Sequence, residues 1–228
     1  MNTASPEVLT SESSTASRFP TGLYGITPDW SDFDRLYTAL EQVCAAGIPI
    51  LQWRRKHTPF DLACEQASKV ATLCKNHGTN FVINDDWRLA LEVRADAVHL
   101  GKDDGNVQEI KQQIKQSNPS LKIGVSCYNQ LALAQQAIVD DVDYFAFGAV
   151  FSSSVKPDAV HAPLSLFTQA KQLLPIDNPP RVVGIGGITL ANAQHVIAAG
   201  ADSIAVISGL FEQDDIYQTC RQFMLLFK

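Results

Sequence analysis

The feature that most constrains the fold is a regular alternation of two kinds of segment from Leu23 onward. Short runs rich in apolar and β-branched residues alternate with longer stretches whose apolar residues recur at helical spacing. Eight short runs predict strands: LYGIT, IPILQWRR, NFVIND, AVHLG, KIGVSC, YFAFGAVF, RVVGIGG and SIAVISGLF. The helical stretches begin near Asp34, Pro59, Trp87, Asn106, Asn129, Pro163, Thr189 and Gln213. The pattern therefore predicts eight βα units.

Strict alternation of strand and helix predicts a parallel sheet, and eight units favour closure into an α/β (βα)8 TIM barrel. A chain of 228 residues, 46% of them hydrophobic, can bury such a core as a single domain over residues 19–228. The alternative is an open doubly wound sheet, but no G-x-G-x-x-G follows the first strand. Residues 1–18 are rich in Ser, Thr, Glu and Ala without any period, and we expect them to form a disordered tail.

Composition restricts the classes of partner. The formal net charge is -6 and no dense basic run occurs, which argues against nucleic acid as a partner. No apolar stretch approaches the length of a membrane span, and the first residues lack a basic leader and an apolar h-region. The five cysteines are scattered without a CxxC pair, so neither disulfides nor a zinc site is predicted. We expect a cytoplasmic protein with small-molecule partners, and the sequence leaves room for a homo-oligomer.

Two aspartates follow neighbouring predicted strands. Asp85 ends strand three and Asp104 follows strand four. Chemistry in a barrel sits at the carboxyl ends of the strands, and neighbouring strands lie about 4.8 Å apart, so the two carboxylates can converge. Mg²⁺ is commonly held by one or two carboxylates together with substrate phosphates. The alternative is that these aspartates cap the helices that follow, with Asp103 or Asp104 capping the helix near Asn106.

Cations and an amide follow strand two in LQWRRK. Gln52, Arg54 and Lys56 alternate, so they share one face of the strand, while Trp53 and Arg55 share the other. Burying cations at a strand end is costly unless an anion meets them. The face therefore predicts a diphosphate clamp beside the aspartates. An exposed basic strand end that pairs with surface acids remains the alternative.

A second anion site is predicted at the glycine-rich ends of the last two strands. Strand seven ends in GIGGIT, Gly184–Thr189, and strand eight ends in ISG, Ile207–Gly209. Loops after these strands of a barrel often hold a phosphate through backbone N–H groups, and glycine lets the backbone approach closely. Glycines in ordinary turns would give the same sequence pattern. The prediction therefore depends on the position of these glycines after strands seven and eight of the barrel.

Taken together, these motifs resemble the thiamine-phosphate synthase family. The resemblance spans most of the chain through LQWRRK, FVINDD, ADAVHLGKDD, IGVSC, DYFAFGAVFSSSVK and VVGIGGIT, in the order expected for successive strand ends. It implies a transferase of thiamine biosynthesis. Hydroxymethylpyrimidine diphosphate would lose pyrophosphate, and the ring nitrogen of a thiazole phosphate would capture the methylene carbon, with Mg²⁺ as cofactor.

The resemblance also implies residue roles. Asp85 and Asp104 would hold the metal, and Arg54, Ser126 and Lys156 would act in catalysis. The pyrimidine diphosphate would be contacted by Gln52, Arg54, Lys56, Asn84, Ser126 and Lys156. The thiazole phosphate would be received by Ser153, Val155, Gly187, Ile207 and Ser208. No protein nucleophile is required, because the thiazole supplies its own.

Several positions depart from the family pattern on the thiazole side. Tyr128 stands where the family usually has His, Val155 lacks a hydroxyl that often contacts the thiazole phosphate, and Ala162 and Pro163 replace a glycine. Two other functions therefore stay open: a thiazole tautomerase-like barrel, which would use a His in place of Tyr128, and a non-catalytic phosphate-binding barrel. His99 could serve as a base, although packing inside the barrel is the favoured interpretation.

Overall fold

The computed structural model describes residues 18–56, 58–152 and 160–228, and it forms a closed barrel of eight parallel strands in chain order. The predicted α/β TIM-barrel fold is therefore confirmed. The strands are β1 Gly22–Ile26, β2 Ile50–Trp53, β3 Asn80–Asn84, β4 Ala97–Leu100, β5 Lys122–Tyr128, β6 Tyr144–Phe147, β7 Arg181–Ile185 and β8 Ser203–Val206. The barrel closes where β8 pairs with β1, with Gly22 opposite Ser203.

Helices follow every strand. They are α1 Phe33–Ala45, α2 Phe60–His77, α3 Trp87–Glu92, α4 Val107–Ser117, α5 Leu131–Val139, α6 Ser165–Leu173, α7 Ala193–Ala198, α8 Ser208–Phe211 and α9 Ile216–Leu225. Several begin at a residue whose side chain accepts hydrogen bonds from the first turn, namely Asp32, Asp86, Asn106 and Asp215. Gly78 ends α2 in the left-handed conformation, at φ 69°.

The buried residues form two layers. The larger lies between the barrel and the helices and includes Trp53, Phe147 and Phe167. The smaller fills the barrel interior and includes Tyr24 and Tyr144. Side chains along each strand alternate between the two layers, so Gln52 points inward while Trp53 packs outward against α1. The predicted division of strand two into two faces is confirmed for these two residues.

One device recurs at the amino end of the barrel. An aspartate stands immediately before each of β4, β6 and β8, namely Asp96, Asp143 and Asp202. Each carboxylate accepts a hydrogen bond of 2.8 Å from a backbone N–H of the preceding strand, at Phe81, Ile123 and Val182 respectively. The repeated bond fastens adjacent strands at the face opposite the carboxyl ends.

Several predicted strands extend too far at their carboxyl ends. Strand two ends at Trp53, so Arg54 and Lys56 lie in the loop beyond it, and β6 ends at Phe147. The apolar run of β8 ends at Val206, after which Ser208–Phe211 forms a short helix. A short apolar run looks the same in the sequence whether it forms a buried strand or a buried helical turn. The sequence therefore could not locate the point where the strand ends and the helix begins.

The first described residues pack against the amino end of the barrel. Residues 1–17, which carry most of the expected tail, lie outside the described residues. Arg18 donates to the carbonyl of Val142, and Phe19 is fully buried, with its ring stacked 4.1 Å from the ring of Tyr144. Among the described helices, none combines the length and apolar character needed to cross a membrane.

Candidate active site

Asp85 and Asp104 lie together at the carboxyl end of the barrel. Asp85 follows β3, and its backbone N–H donates to the carbonyl of His99 on β4 at 2.8 Å. The capping interpretation is wrong for both aspartates, since Asp86 caps α3 and Asn106 caps α4. Their carboxylates are therefore available to the barrel mouth. Asn84, the last residue of β3, is half-buried beside them.

The surroundings of Asp85 oppose the ionisation of its carboxyl group. Partial burial, and next the carboxylate of Asp104, raise the pKa of Asp85 to about 6, while the cations Lys56 and Arg54 act in the opposite direction. Asp85 also has φ 66°, a left-handed conformation uncommon outside glycine. Asp104 is held by the N–H of Gly101, which donates to its Oδ2 at 2.6 Å. Since the Asp104 carboxylate lies close enough to oppose the ionisation of Asp85, the two are well placed to share a cation.

These carboxylates suit a hard divalent cation with few protein ligands. The described residues contain no group of three or more His, Cys, Asp or Glu side chains arranged to hold a metal. Mg²⁺ does not need such a cage, since it binds through one or two carboxylates and completes its shell with water and substrate phosphates. The pair Asp85 and Asp104 fits that pattern.

Arg54 and Lys56 extend from the end of β2 toward the same mouth. The guanidinium of Arg54 is largely covered, and its Nη1 lies 4.0 Å from Oδ2 of Asp29, a long ion pair with an exposed partner. The Arg54 backbone N–H donates to Oγ1 of Thr27 at 2.8 Å, which fixes this loop against β1. Both cations influence Asp85 electrostatically. The mouth thus presents cations on one side and carboxylates on the other.

Sequence reasoning missed a chain of buried hydrogen bonds below the mouth. Nε2 of Gln52 lies 2.8 Å from the hydroxyl of Tyr24, which lies 2.9 Å from the hydroxyl of Tyr144. The Tyr144 hydroxyl lies 3.1 Å from Nδ1 of His99, and Nε2 of His99 lies 2.9 Å from Oγ of Ser126. The chain joins two predicted substrate contacts, Gln52 and Ser126, through Tyr24, Tyr144 and His99, to which the resemblance gives no role.

The loops after β6, β7 and β8 pack against each other at the opposite side of the mouth. A Cβ on Gly187, which has φ 62°, would lie 2.4 Å from the carbonyl oxygen of Ser152. A Cβ on Gly209 would lie 2.3 Å from the carbonyl oxygen of Ile188. Glycine is needed at both contacts. The predicted phosphate-binding residues Gly187, Ile207 and Ser208 therefore lie where the loop after β7 adjoins the start of α8.

Some predicted residues lie outside this description. Ser153, Val155 and Lys156 fall in the range 153–159, outside the described residues. Tyr128 is described, at φ 53° on the end of β5, and its hydroxyl accepts a hydrogen bond of 3.2 Å from the N–H of Lys102. Tyr128 therefore contacts the loop that carries Asp104.

Comparison with known proteins gives consistent matches over this whole architecture. The model of the family described as thiamine monophosphate synthase matches residues 23–210. The thiamine-phosphate synthase of Bordetella avium (strain 197N) is 50% identical over 201 residues, 87% of this chain and 91% of that protein. That of Methylobacillus flagellatus is 48% identical over 207 residues, 90% of this chain and 95% of that protein. Thiamine phosphate pyrophosphorylase from Pyrococcus furiosus superposes with a TM-score of 0.79 at 27% identity, covering 92% and 96% of the two chains.

The fold and the polar mouth define an enzyme of the TIM-barrel class, with its site at the carboxyl ends of the strands. The family match covers most of the chain and the relatives are matched over nearly their full length. The chain belongs to the thiamine monophosphate synthase family.

Proposed function

We propose that this chain condenses hydroxymethylpyrimidine diphosphate with a thiazole phosphate to give thiamine phosphate and pyrophosphate, with Mg²⁺ as cofactor. One observation assigns this reaction to the site: the carboxylates of Asp85 and Asp104 and the cations Lys56 and Arg54 lie at the same barrel mouth. Carboxylates for a divalent cation beside cations for an anion are the groups that a metal-bound diphosphate requires. Family membership supports the same reaction.

The leaving group is where this chemistry needs the protein most. Breaking the bond between the methylene carbon and the diphosphate oxygen leaves positive charge in the aminopyrimidine ring and places negative charge on the diphosphate. Fixed positive charge aimed at that oxygen lowers the barrier, and Arg54 and Lys56 supply it. Asp85 and Asp104 would hold Mg²⁺, which when bound neutralises diphosphate charge. Lys156 is assigned to the same group by resemblance.

The remaining residues would bind and orient the two substrates. Gln52, Asn84 and Ser126 would hold the pyrimidine diphosphate, and the thiazole nitrogen then forms the new bond to the methylene carbon. Gly187, Ile207 and Ser208 would receive the thiazole phosphate, because the loop after β7 adjoins the start of α8. Ser153 and Val155 would complete that site.

Three further assignments accompany this function. We assign the catalytic unit to residues 19–228 and the preceding residues to a tail outside it. Its partners would be small molecules, with neither nucleic acid nor membrane involved, and a homo-oligomer is compatible with a compact barrel. A biosynthetic enzyme of this kind would work in the cytoplasm.

The direct test is pyrophosphate release from the purified full chain. With both substrates and Mg²⁺ present, we expect pyrophosphate and thiamine phosphate in equal amounts, and neither product when one substrate is omitted or the metal is chelated. Substrate binding without turnover would instead favour the non-catalytic barrel. Isomerisation of the thiazole carboxylate phosphate without pyrophosphate would favour the tautomerase.

A further inference from the structure

We propose that Tyr24, Tyr144 and His99 are positioning residues that make Ser126 a hydrogen-bond donor toward the pyrimidine substrate. They form a directed chain of hydrogen bonds that starts at the amide of Gln52 and ends at the hydroxyl of Ser126. The identity of the substrate rests on the proposed function, whereas the direction of the chain is a property of the protein alone.

The direction follows from counting protons along the chain. The Gln52 Nε2 group can only donate, so the Tyr24 oxygen accepts from it, at 2.8 Å. Tyr24 has one proton, which it gives to the Tyr144 oxygen at 2.9 Å. Tyr144 then gives its own proton to Nδ1 of His99 at 3.1 Å. Each phenol is fully buried, so each proton must be used inside the barrel.

The rest of the chain follows from the tautomer of His99. An imidazole that accepts at Nδ1 and is neutral carries its proton on Nε2. Nε2–H then donates to Oγ of Ser126 across 2.9 Å. Since Nε2 carries a proton and cannot accept one, the Ser126 hydroxyl proton is free for an acceptor atom of the bound substrate. Ser126 is thereby a donor, whereas the opposite His99 tautomer would make it an acceptor.

The charges at the mouth favour this direction over the reverse. Arg54 and Lys56 lie in the loop that follows Gln52 and the end of β2. Cations beside an amide favour its oxygen facing them and its NH₂ group facing away. The other end of the chain lies near carboxylates, because Ser126 is on β5 beside β4, and Asp104 acts electrostatically on His99. Negative charge there favours an O–H that points toward it. The field between cations and carboxylates therefore aligns every dipole of the chain in one sense.

Packing around Tyr144 keeps the chain in register. Its ring stacks on Phe19 from beneath, with centroids 4.1 Å apart, and on His99, with centroids 5.5 Å apart. A Cβ on Gly124 would lie 2.0 Å from the Tyr144 ring, so only glycine at that position leaves room for it. The hydroxyl of Tyr144 is thus held between the hydroxyl of Tyr24 and the imidazole of His99. A rotation of the Tyr144 side chain would break both hydrogen bonds.

The consequence at the mouth is a complementary pair of groups. Gln52 has turned its NH₂ inward, which leaves its carbonyl oxygen as an acceptor, and Ser126 presents an O–H as a donor. A flat heteroaromatic ring with an amino group and a ring nitrogen offers a donor and an acceptor to match. The chain thereby gives the pyrimidine one orientation, with its methylene carbon fixed relative to the diphosphate clamp.

The test is the tautomer of His99, read from two-bond proton–nitrogen correlation spectra of protein containing isotope-labelled histidine. The His99 signal is identified by its loss in His99→Gln. We expect the Nε2–H tautomer in the parent protein and in Tyr24→Phe, where Tyr144 still has a proton to give. In Tyr144→Phe that donor is gone, and we expect a mixture of tautomers. An Nδ1–H tautomer in the parent, or an unchanged tautomer in Tyr144→Phe, would overturn the proposal.

A kinetic comparison tests whether the chain serves the substrate. Tyr144→Phe should lower kcat/KM for the pyrimidine diphosphate about tenfold, the effect of one weakened hydrogen bond, with little change in the KM of the thiazole phosphate. Tyr217→Phe on α9, a tyrosine 38% exposed, is the matched control and should behave like the parent. Equal losses for both substrates would mean a purely structural role. The spectra need no turnover, so they separate failure of this proposal from failure of the proposed function.

Discussion

At the scale of single residues, burial decides the chemistry of His99. Desolvation inside the barrel lowers its pKa to about 4, against a smaller opposing influence from the carboxylate of Asp104. A general base works best with a pKa near the operating pH, so a histidine this acidic is poorly suited to that role. Its contacts with Tyr144 and Ser126 instead indicate a neutral imidazole used for hydrogen bonding.

The first prediction concerns the pH dependence of stability. His99 titrates at 6.5 in its ordinary state and at about 4 in the fold, so protonation is more costly in the folded chain than in the unfolded one. Its contribution is complete above pH 6.5 and is lost as the pH falls toward 4. We expect urea unfolding between these pH values to depend less on pH in His99→Gln than in the parent. The exposed His77→Gln should keep the parent slope, and identical slopes in all three proteins would refute the assignment.

The second prediction uses Tyr128 to separate synthase from tautomerase. Its hydroxyl accepts only one described hydrogen bond, from the N–H of Lys102, which is worth about 1 kcal/mol. Tyr128→Phe should therefore keep condensation within about tenfold of the parent rate, measured as pyrophosphate release. The unmodified protein should not isomerise the thiazole carboxylate phosphate. Rapid isomerisation, without pyrophosphate when both synthase substrates are present, would contradict the account.

At the scale of elements, local signals predicted the order of strands and helices but not their ends. Apolar runs and helical spacing located all eight strands, because each strand of this barrel is buried on both faces. The end of β8 was missed because SGLF is as apolar as the strand before it. The capping alternative for Asp85 could not be rejected from the sequence for a different reason: DD at 85 and 86 offers two carboxylates, and only the backbone turn decides that Asp86 caps α3.

The candidate site divides in the same way. Groups that follow directly from strand ends, such as Asp85, Asp104 and Arg54, could be predicted from the alternation of the chain. The hydrogen-bond chain could not, since Tyr24, His99 and Tyr144 come from β1, β4 and β6, which are not neighbours in the sheet. Their contact depends on how side chains fill the closed barrel, and no local pattern encodes it.

The third prediction tests the packed loops after β6 and β7. Gly187→Ala would place a methyl group 2.4 Å from the Ser152 carbonyl, so the loops must separate. We expect the KM of the thiazole phosphate to rise at least about tenfold, more than that of the pyrimidine diphosphate. Gly78→Ala is the matched control, because it has a similar φ of 69° with nothing within 4 Å. It should lower stability by about 1 kcal/mol and leave both KM values unchanged. Equal kinetic effects of the two variants would show that backbone strain alone is responsible.

At the scale of the whole molecule, the barrel separates stability from activity. The amino end carries the repeated bonds of Asp96, Asp143 and Asp202 to neighbouring strands. The carboxyl end carries like charges and left-handed residues such as Asp85, which the fold must tolerate. Substitutions at the amino end should therefore lower stability and leave turnover unchanged, whereas substitutions at the carboxyl end should lower turnover.

The fourth prediction tests that separation at Asp202. Its carboxylate accepts from the N–H of Val182 at 2.8 Å and from Nζ of Lys171 at 2.7 Å. Asp202→Ala should lower the free energy of unfolding by about 2 kcal/mol, the scale of a lost hydrogen bond to a charged group. Below the unfolding transition kcat should stay at the parent value. The exposed Asp214→Ala should change neither quantity, and a fall in kcat at unchanged stability in Asp202→Ala would contradict the division between the two ends.

The most direct test of the central claim compares two adjacent aspartates. Asp85 faces the cations and Asp104 at the mouth, whereas Asp86 caps α3 through bonds of 3.0 Å to the N–H groups of Arg88 and Leu89. Asparagine also caps helices well, so Asp86→Asn should keep both fold and turnover. Pyrophosphate release is measured for both variants over a range of Mg²⁺ concentrations. The account predicts a loss of at least about a hundredfold in Asp85→Asn and nearly parent rates in Asp86→Asn; normal turnover of Asp85→Asn at limiting Mg²⁺ would contradict it.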